Sequence, residues 1–492
     1  MNLRSPSPVL SRVSAWMLVG GLFLLLTGGQ LLTHGMFLDG VLYGTTARNL
    51  SEGFGSVWHL NVTPAFCVNL CQPPLAIGLQ SLLFTLLGDH FWVERVGSTL
   101  ALVATGGLMG WTWTRAGQPR DMAWLPALLL LAVSGTAWAA NNNVLENTMT
   151  LFVLGSVLCM LQARHGQRWL WLGMAGVLLW CAFLSKGPMG LFPLALPTLY
   201  ACVCRGEERP WPSLLRGVGH SAATLLGLMV AAGLTCLLWS EAAEALRDYV
   251  LRQTEASLRP GDEPRYIILW KFFEHTLPLL LLTLVVWFAT RRKCRRDASQ
   301  VAEAGVAATE TTRRWMRLLA LLVACGVLPV MLSRKQHAYY LLSVYPFCAL
   351  LAALVCRPAV ESLWDKGRRW VTPLAAVALV GGIGLTAGRA GQASRDRLLL
   401  DDMERVCAQV GEGACVGVPR TMLKQATFVT YCYRYHHVTL DAYRGHDFLL
   451  VPRAEADDAR WGEEGYVRCS TDAHGFQLYH KEQKISQNEN IV

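Results

Sequence analysis

A chain of 492 residues that is 53% hydrophobic and only 16% charged is too apolar for an ordinary soluble protein, since such proteins carry about 25% charged residues. Its net charge of +9 does not mark a nucleic-acid partner, because the basic residues gather in short loops between apolar runs. Runs such as Val13 to Leu32, Val96 to Trp113, Gly217 to Trp239 and Ile267 to Thr290 each approach the ~20 residues that cross a bilayer as a helix. The fold class expected is an all-α polytopic membrane protein with a small C-terminal α/β domain.

In chain order, Arg4 and Arg12 precede the first apolar run. No small-x-small cleavage site separates that run from the Asp39 stretch, so it reads as an uncleaved first span rather than a signal peptide. Basic clusters follow at Arg115/Arg120, Arg164/Arg168, Arg205/Arg209/Arg216, Arg291 to Arg296, and Arg357/Lys366/Arg368/Arg369. The positive-inside rule places these loops, and the N-terminus, in the cytoplasm. Residues 34–94 are then an outer (periplasmic) loop, with 75–88 lying near the membrane surface; counting 75–88 as a span would put every later basic loop outside. Spans are predicted at about 96–114, 121–139, 144–163, 168–184, 188–204, 217–239, 267–290, 315–332, 337–356 and 370–388, roughly eleven with the first. Residues 298–312 read as a flexible cytoplasmic linker.

The composition changes near residue 390, which divides the chain into a membrane domain, 1–389, and a periplasmic α/β domain, 390–492. In the tail a helix is predicted near Arg395 to Val410. Strands are predicted at Cys415–Val418, Thr427–Tyr431 and Phe448–Val451. Cys67 and Cys71 in the first loop, and Cys407, Cys415, Cys432 and Cys469 in the tail, permit disulfides in an oxidising compartment without fixing their pairing. Zinc is the other reading of the tail cysteines, but none forms a Cys-x-x-Cys pair.

The notable polar residues all fall on the predicted outer face. Asp39, Tyr43 and Ala47 recur at steps of four, so a short helix would carry acid and phenol together. Arg48 follows. Glu146 begins a span after Asn141-Asn142-Asn143, and Lys186 occupies the turn Ser185-Lys186-Gly187-Pro188. Arg252, Arg259, Asp262 and Glu263 belong to the long outer loop 240–266. Arg334 and Lys335 precede Tyr339 and Tyr340. Each has an ordinary structural reading: Asp39 or Glu146 as a helix cap, Lys186 and Lys335 as snorkelling cations. Together, two acids and several bases at one face suit transfer from a lipid phosphate. A carboxylate takes a proton from the acceptor, and cations hold the phosphate as it leaves. No nucleotide-binding, zincin or serine-hydrolase motif competes, and no Asp-x-Asp occurs in the outer loops of the core, so neither a cofactor nor a metal is expected.

The ordered set Asp39-x-x-x-Tyr43-x-x-x-Ala47-Arg48-Asn49-Leu50-x-x-Gly53, Pro73-Pro74-Leu75, Lys186-Gly187-Pro188, Lys335-x-x-x-Tyr339 and Tyr345-Pro346 resembles the GT-C membrane glycosyltransferases, over roughly residues 15–355. The lipid A aminoarabinose transferases and the bacterial relatives of protein O-mannosyltransferases look most alike. The resemblance implies a polyprenyl-phosphate-linked sugar donor, membrane lipids as surroundings, an inner-membrane location and an acceptor that stays open. It implies Asp39 as the catalytic residue, expected as general base, with Glu146 as the second catalytic acid, assisting acceptor or sugar positioning. Tyr43, Arg48, Gln72, Lys186, Arg252, Arg259, Lys335, Tyr339 and Tyr340 are expected at the substrates. Two departures stand out: Asp39-Gly40 replaces a common Asp-Glu, and the lipid A enzymes' Glu-Lys-Pro is here Cys71-Gln72-Pro73, whose neutral Gln72 cannot hold a phosphate as lysine does. A transporter or lipid-linked-sugar flippase is the alternative, and an inert envelope scaffold a third reading.

Overall fold

The computed structural model describes residues 8–65, 72–204, 208–258, 264–297, 304–442 and 445–482. Its contacts divide the chain into two units. Unit 1 comprises residues 1–32, 71–79 and 95–390, and unit 2 residues 33–70, 80–94 and 391–492. The first loop, expected within the membrane domain, thus largely groups with the tail.

Unit 1 is helical. It contains α1 (Pro8–Leu31), the start of α3 (Leu75–Leu87), α4 (Val93–Arg115, from Arg95), α5 (Leu125–Leu130), α6 (Ser134–Asn141), α7 (Glu146–Gln162) and α8 (Arg168–Lys186). There follow α9 (Leu196–Val203), α10 (Pro210–Leu238), α11 (Ala242–Leu258), α12 (Ile267–Asp297), α13 (Ala304–Val327) and α14 (Tyr345–Arg389). Among the described residues six helices are long and apolar enough to cross a membrane, or seven if α5 and α6, bent by 76°, count as one span. The chain is therefore a multi-pass membrane protein, but eleven spans are not reached on length and apolarity. One of the missing spans has a physical cause. Helix α7 has only 17 residues and carries Glu146, Asn147, Thr150 and Ser156 buried against its neighbours, so it is an interior helix that need not be apolar all round.

Three expectations are corrected. The predicted span 121–139 is broken, and at the break the Thr136 hydroxyl donates to the Leu130 carbonyl (3.1 Å), satisfying one of the acceptors that a helix end exposes. The predicted span 370–388 is found, as Arg369–Arg389, but it is the second half of one unbroken helix, α14, whose first half starts only at Tyr345, so the predicted span 337–356 opens instead with a 3-10 turn at Ala338–Leu341. Pro358 and Pro373 lie inside it, and each removes a ladder hydrogen bond. The described part of the expected linker, from Ala304, is the first part of α13.

Helix directions sort the charges of unit 1 into two ends. Helix α1 runs parallel to the second half of α14. Ser14 Oγ lies 2.9 Å from Thr372 Oγ1, and Gly28 packs so closely on Thr386 that a Cβ would collide with its hydroxyl. Small residues permit such approach where apolar driving force between helices is weak. Arg12 pairs with Asp121 (2.9 Å) and Arg357 with Gln118 (2.8 Å), so this end gathers the turns around 118–121 and 357. Helices α7 and α8 run antiparallel from Glu146 and Lys186 at one end to Gln162 and Arg168 at the other. Among the described residues Arg164, Arg168 and Arg216 gather at the Arg168 end; Lys186 and Ala338–Leu341 lie at the opposite one.

Unit 2 holds α2 (Leu38–Ser51), α15 (Arg397–Val410), β1 (Cys415–Gly417), α16 (Ala426–His436), β2 (Thr439–Asp441), β3 (Phe448–Pro452), α17 (Asp458–Glu463), β4 (Tyr466–Arg468) and β5 (Phe476–Lys481). The sheet order is β2-β1-β3-β5-β4, parallel across β2-β1-β3 and antiparallel beyond. The predicted helix and the strands at 415 and 448 are found, whereas Thr427–Tyr431 is helical. Parallel β1 and β2 need a crossover, and α16 supplies it, burying Phe428, Tyr431 and Cys432 at helical spacing. Val41 of α2 and Met36 join the same core as Val416, Leu440 and Leu478, which is why the first loop groups with the tail. Cys407, Cys415, Cys432 and Cys469 carry free thiols. Cys67 and Cys71 lie outside the described residues.

Candidate active site

Within unit 1 the expected residues Glu146, Lys186 and Tyr339 come together. Glu146 is the first residue of α7 and fully buried; Lys186 is the last of α8. Lys186 Nζ stands 3.5 Å from Glu146 Oε1 and 5.9 Å from the centre of the Tyr339 ring. Each charge sits where its own helix dipole favours it, an anion at an N-terminus and a cation at a C-terminus. Neither Asp39 nor Glu146 caps its helix: the caps are Phe37 and Leu145, without side-chain bonds.

The turn after Lys186 requires glycine. Gly187 adopts φ 110°, ψ −158°, a region open essentially to glycine alone. A Cβ there would also collide with the Tyr249 hydroxyl, which donates to the Lys186 carbonyl at 2.8 Å. The backbone around Lys186 is thereby fixed from α11.

An aromatic wall adjoins this pair. Tyr339 stacks on Trp138 (6.0 Å, 13°) and His337 (5.1 Å, 4°), and meets Tyr340 edge-on (5.0 Å, 86°). Lys335 is half-buried, its backbone N–H donating to Ser333 Oγ (3.1 Å). Lys271, a cation that the sequence reading passed over, donates from Nζ to the Gln336 carbonyl at 2.7 Å. Gln72 is half-buried, and its Oε1 has no hydrogen-bond partner among the described residues. Arg252 is exposed on α11. Arg259, Asp262 and Glu263 lie outside the described residues.

Unit 2 carries Asp39, Tyr43 and Arg48 on α2. Asp39 is half-buried in the first turn, where the helix dipole favours its charge. It makes no ion pair or side-chain hydrogen bond among the described residues. Tyr43 is buried. Arg48, expected at a substrate, is instead wholly enclosed in unit 2. Its Nε donates to Asn49 Oδ1 (3.0 Å), Nη1 to Asp89 (3.3 Å) and Nη2 to the Tyr433 carbonyl (3.2 Å), with His437 Nε2 also against Nη1. Asn49 donates to the carbonyls of Asn61 and Val62 (3.0 and 2.9 Å). The Ala47-Arg48-Asn49-Leu50 run therefore organises the loop.

Asp89 is shared between two arginines, since Arg434 Nη1 donates to its other oxygen (2.6 Å). Arg434 also donates to Glu94 (3.0 Å) and the His90 carbonyl (3.0 Å). Burial alone would lower the Arg434 pKa, but Glu94 and Asp89 raise it above the ordinary guanidinium value. These residues were missed because nothing in their local spacing sets them apart. The one available signal was two acids, Asp89 and Glu94, immediately before an apolar run. Glu52, Asp89 and His437 also bring ligand-type atoms within 4.8 Å of one another. Arg48 already contacts all three and supplies the positive charge, so the set does not suit a metal ion.

The sequence model of the dolichyl-phosphate-mannose-protein mannosyltransferase family matches residues 71–239. No curated protein matches the chain in sequence. Among solved structures, ArnT from Cupriavidus metallidurans bound to undecaprenyl phosphate is similar with a TM-score of 0.61 at 14% identity, over 95% of this chain and 98% of that one. The apo form of the same protein gives 0.59 at 15%, over 96% and 97%. The chain thus shares the fold of ArnT along nearly its whole length.

Proposed function

We propose that this chain is a membrane glycosyltransferase that moves a sugar from a polyprenyl-phosphate-linked donor to an acceptor at the outer face of the bacterial inner membrane. The observation that carries the reading is the arrangement of unit 1. A buried acid–lysine pair and an aromatic wall lie at the end of the bundle opposite the arginine clusters. By the positive-inside rule the arginine end is cytoplasmic, which makes the Lys186 end the outer one. The fold likeness adds support, since ArnT was solved with undecaprenyl phosphate.

In this reaction an acceptor hydroxyl oxygen bonds to the anomeric carbon while the bond from that carbon to the donor phosphate oxygen breaks. The electron pair leaves with the polyprenyl phosphate, and Asp39 takes the hydroxyl proton as general base. A carboxylate uncommitted to other groups among the described residues suits that role. Lys186 and Lys335, with Arg252 and Arg259, neutralise the phosphate as charge grows on it. Glu146 holds Lys186 in place. Tyr339 and Tyr340 offer hydroxyls and ring faces to the sugar phosphate, Tyr43 shapes the surroundings of Asp39, and the Gln72 amide contacts substrate. Arg48 is assigned to positioning α2.

Proteoliposomes containing the purified chain and a polyprenyl-phospho-sugar donor test the reading. Sugar appearing on added envelope lipids, glycans or proteins, with release of polyprenyl phosphate, supports transfer. Movement of the intact donor between leaflets without cleavage would favour the flippase alternative instead.

A further inference from the structure

At the arginine end of unit 1, the turn joining α7 to α8 and the first turns of α10 enclose a cavity of about 300 Å³. Arg164, Arg168 and Arg216 line it, with Tyr200, Leu172 and a single carboxylate from Glu208 among the described residues. Glu208 is occupied by Arg216, whose Nη1 lies 2.9 and 3.1 Å from its two oxygens. Arg164 lies over the Tyr200 ring, its Cζ 4.2 Å from the centroid. Neither Arg164 nor Arg168 pairs with a carboxylate among the described residues. Among the described residues the cavity therefore holds positive charge that no carboxylate neutralises.

Its surroundings decide what kind of anion fits. Trp169, whose ring meets His220 edge-on at 6.0 Å, and Trp211 are 67% and 73% exposed beside these arginines in sequence. Exposed indoles next to basic residues at the end of a membrane helix are the composition of the headgroup layer. Guanidinium forks match phosphate oxygens, and a ring-stacked guanidinium is already held in one orientation. Basic pockets between membrane helices take anionic headgroups for these reasons.

We propose that this cavity binds the phosphate headgroup of an anionic membrane phospholipid. The lipid belongs to the leaflet opposite the end that bears Lys186, because Arg168 and Lys186 close the two ends of the one helix α8. The assignment does not depend on the chain being a glycosyltransferase.

The test uses the full chain in nanodiscs of phosphatidylcholine mixed with phosphatidylglycerol, followed by native mass spectrometry of lipid retained after detergent exchange. Wild type should retain phosphatidylglycerol over phosphatidylcholine, and the preference should fall about five-fold for each arginine removed in Arg164→Gln and Arg168→Gln. Asp39→Asn should keep the full preference, which separates this result from any failure of sugar transfer. No preference in wild type, or a full preference in the double variant, overturns the proposal. Equal competition by soluble glycerol phosphate would also overturn it, by making the site one for free phosphates.

Discussion

Lys186 Nζ lies 3.5 Å from Glu146 Oε1, the last residue of one span facing the first residue of its antiparallel neighbour. Both are nearly or wholly buried, so each charge offsets part of the other's cost of burial.

Removing one partner takes this compensation from the other. Glu146→Gln or Lys186→Met alone should each lower stability by roughly 3–5 kcal/mol, whereas the double replacement should cost clearly less than their sum. Thermal unfolding in detergent of the two single variants and the double variant measures this coupling. Additive losses would contradict it.

Gly187→Ala should damage the turn twice over, through its φ of 110° and through collision with the Tyr249 hydroxyl. Tyr249→Phe in the same chain removes the collision but not the strain, so it should recover part of the melting temperature and not all of it. Full recovery would show that the backbone conformation costs nothing.

The large features were legible because they rest on composition and period. Apolar runs announced α1, α10 and α12, and the arginine clusters announced one end of unit 1. The misreadings share a cause: local pattern was overridden by partners distant in sequence. Thr427–Tyr431 carries strand-favouring residues, yet it fills the crossover that parallel β1 and β2 demand. Arg48 sits in a motif that reads as substrate-facing, yet Asp89, His437 and the Tyr433 carbonyl enclose it from 41 to 389 residues away. Glu146, Lys186 and Tyr339 were found singly from their places at predicted span ends, but only the fold reveals that they adjoin.

Arg48 and Arg434 share Asp89 inside unit 2. Arg434→Ala would leave Glu94 buried without its ion-pair partner, and should destabilise the unit by roughly 3–5 kcal/mol. Limited proteolysis should then release the tail well before the helical bundle is cut. An unchanged cleavage pattern would contradict a structural role for the network.

Burial and the Asp458 carboxylate push the Tyr479 phenol up to about 12, above the ~10 of an unfolded chain. The folded state keeps a proton that the unfolded state gives up. That contribution to stability is whole below about pH 10 and lost as pH rises through the folded value. Denaturation of the full chain across this window should show stability falling with pH, and Tyr479→Phe should flatten the slope. An equal slope in the variant would place the titrating group elsewhere.

The central claim rests on Asp39, whose half-buried carboxylate in the first turn of α2 makes no ion pair or side-chain hydrogen bond among the described residues. The most direct measurement is the rate of sugar transfer from a polyprenyl-phospho-sugar donor by purified wild type and Asp39→Asn, compared at matched melting temperature. Loss of at least about a hundred-fold in rate, the usual contribution of a general base, with donor binding retained, is the result predicted. Transfer by Asp39→Asn at the wild-type rate would contradict it.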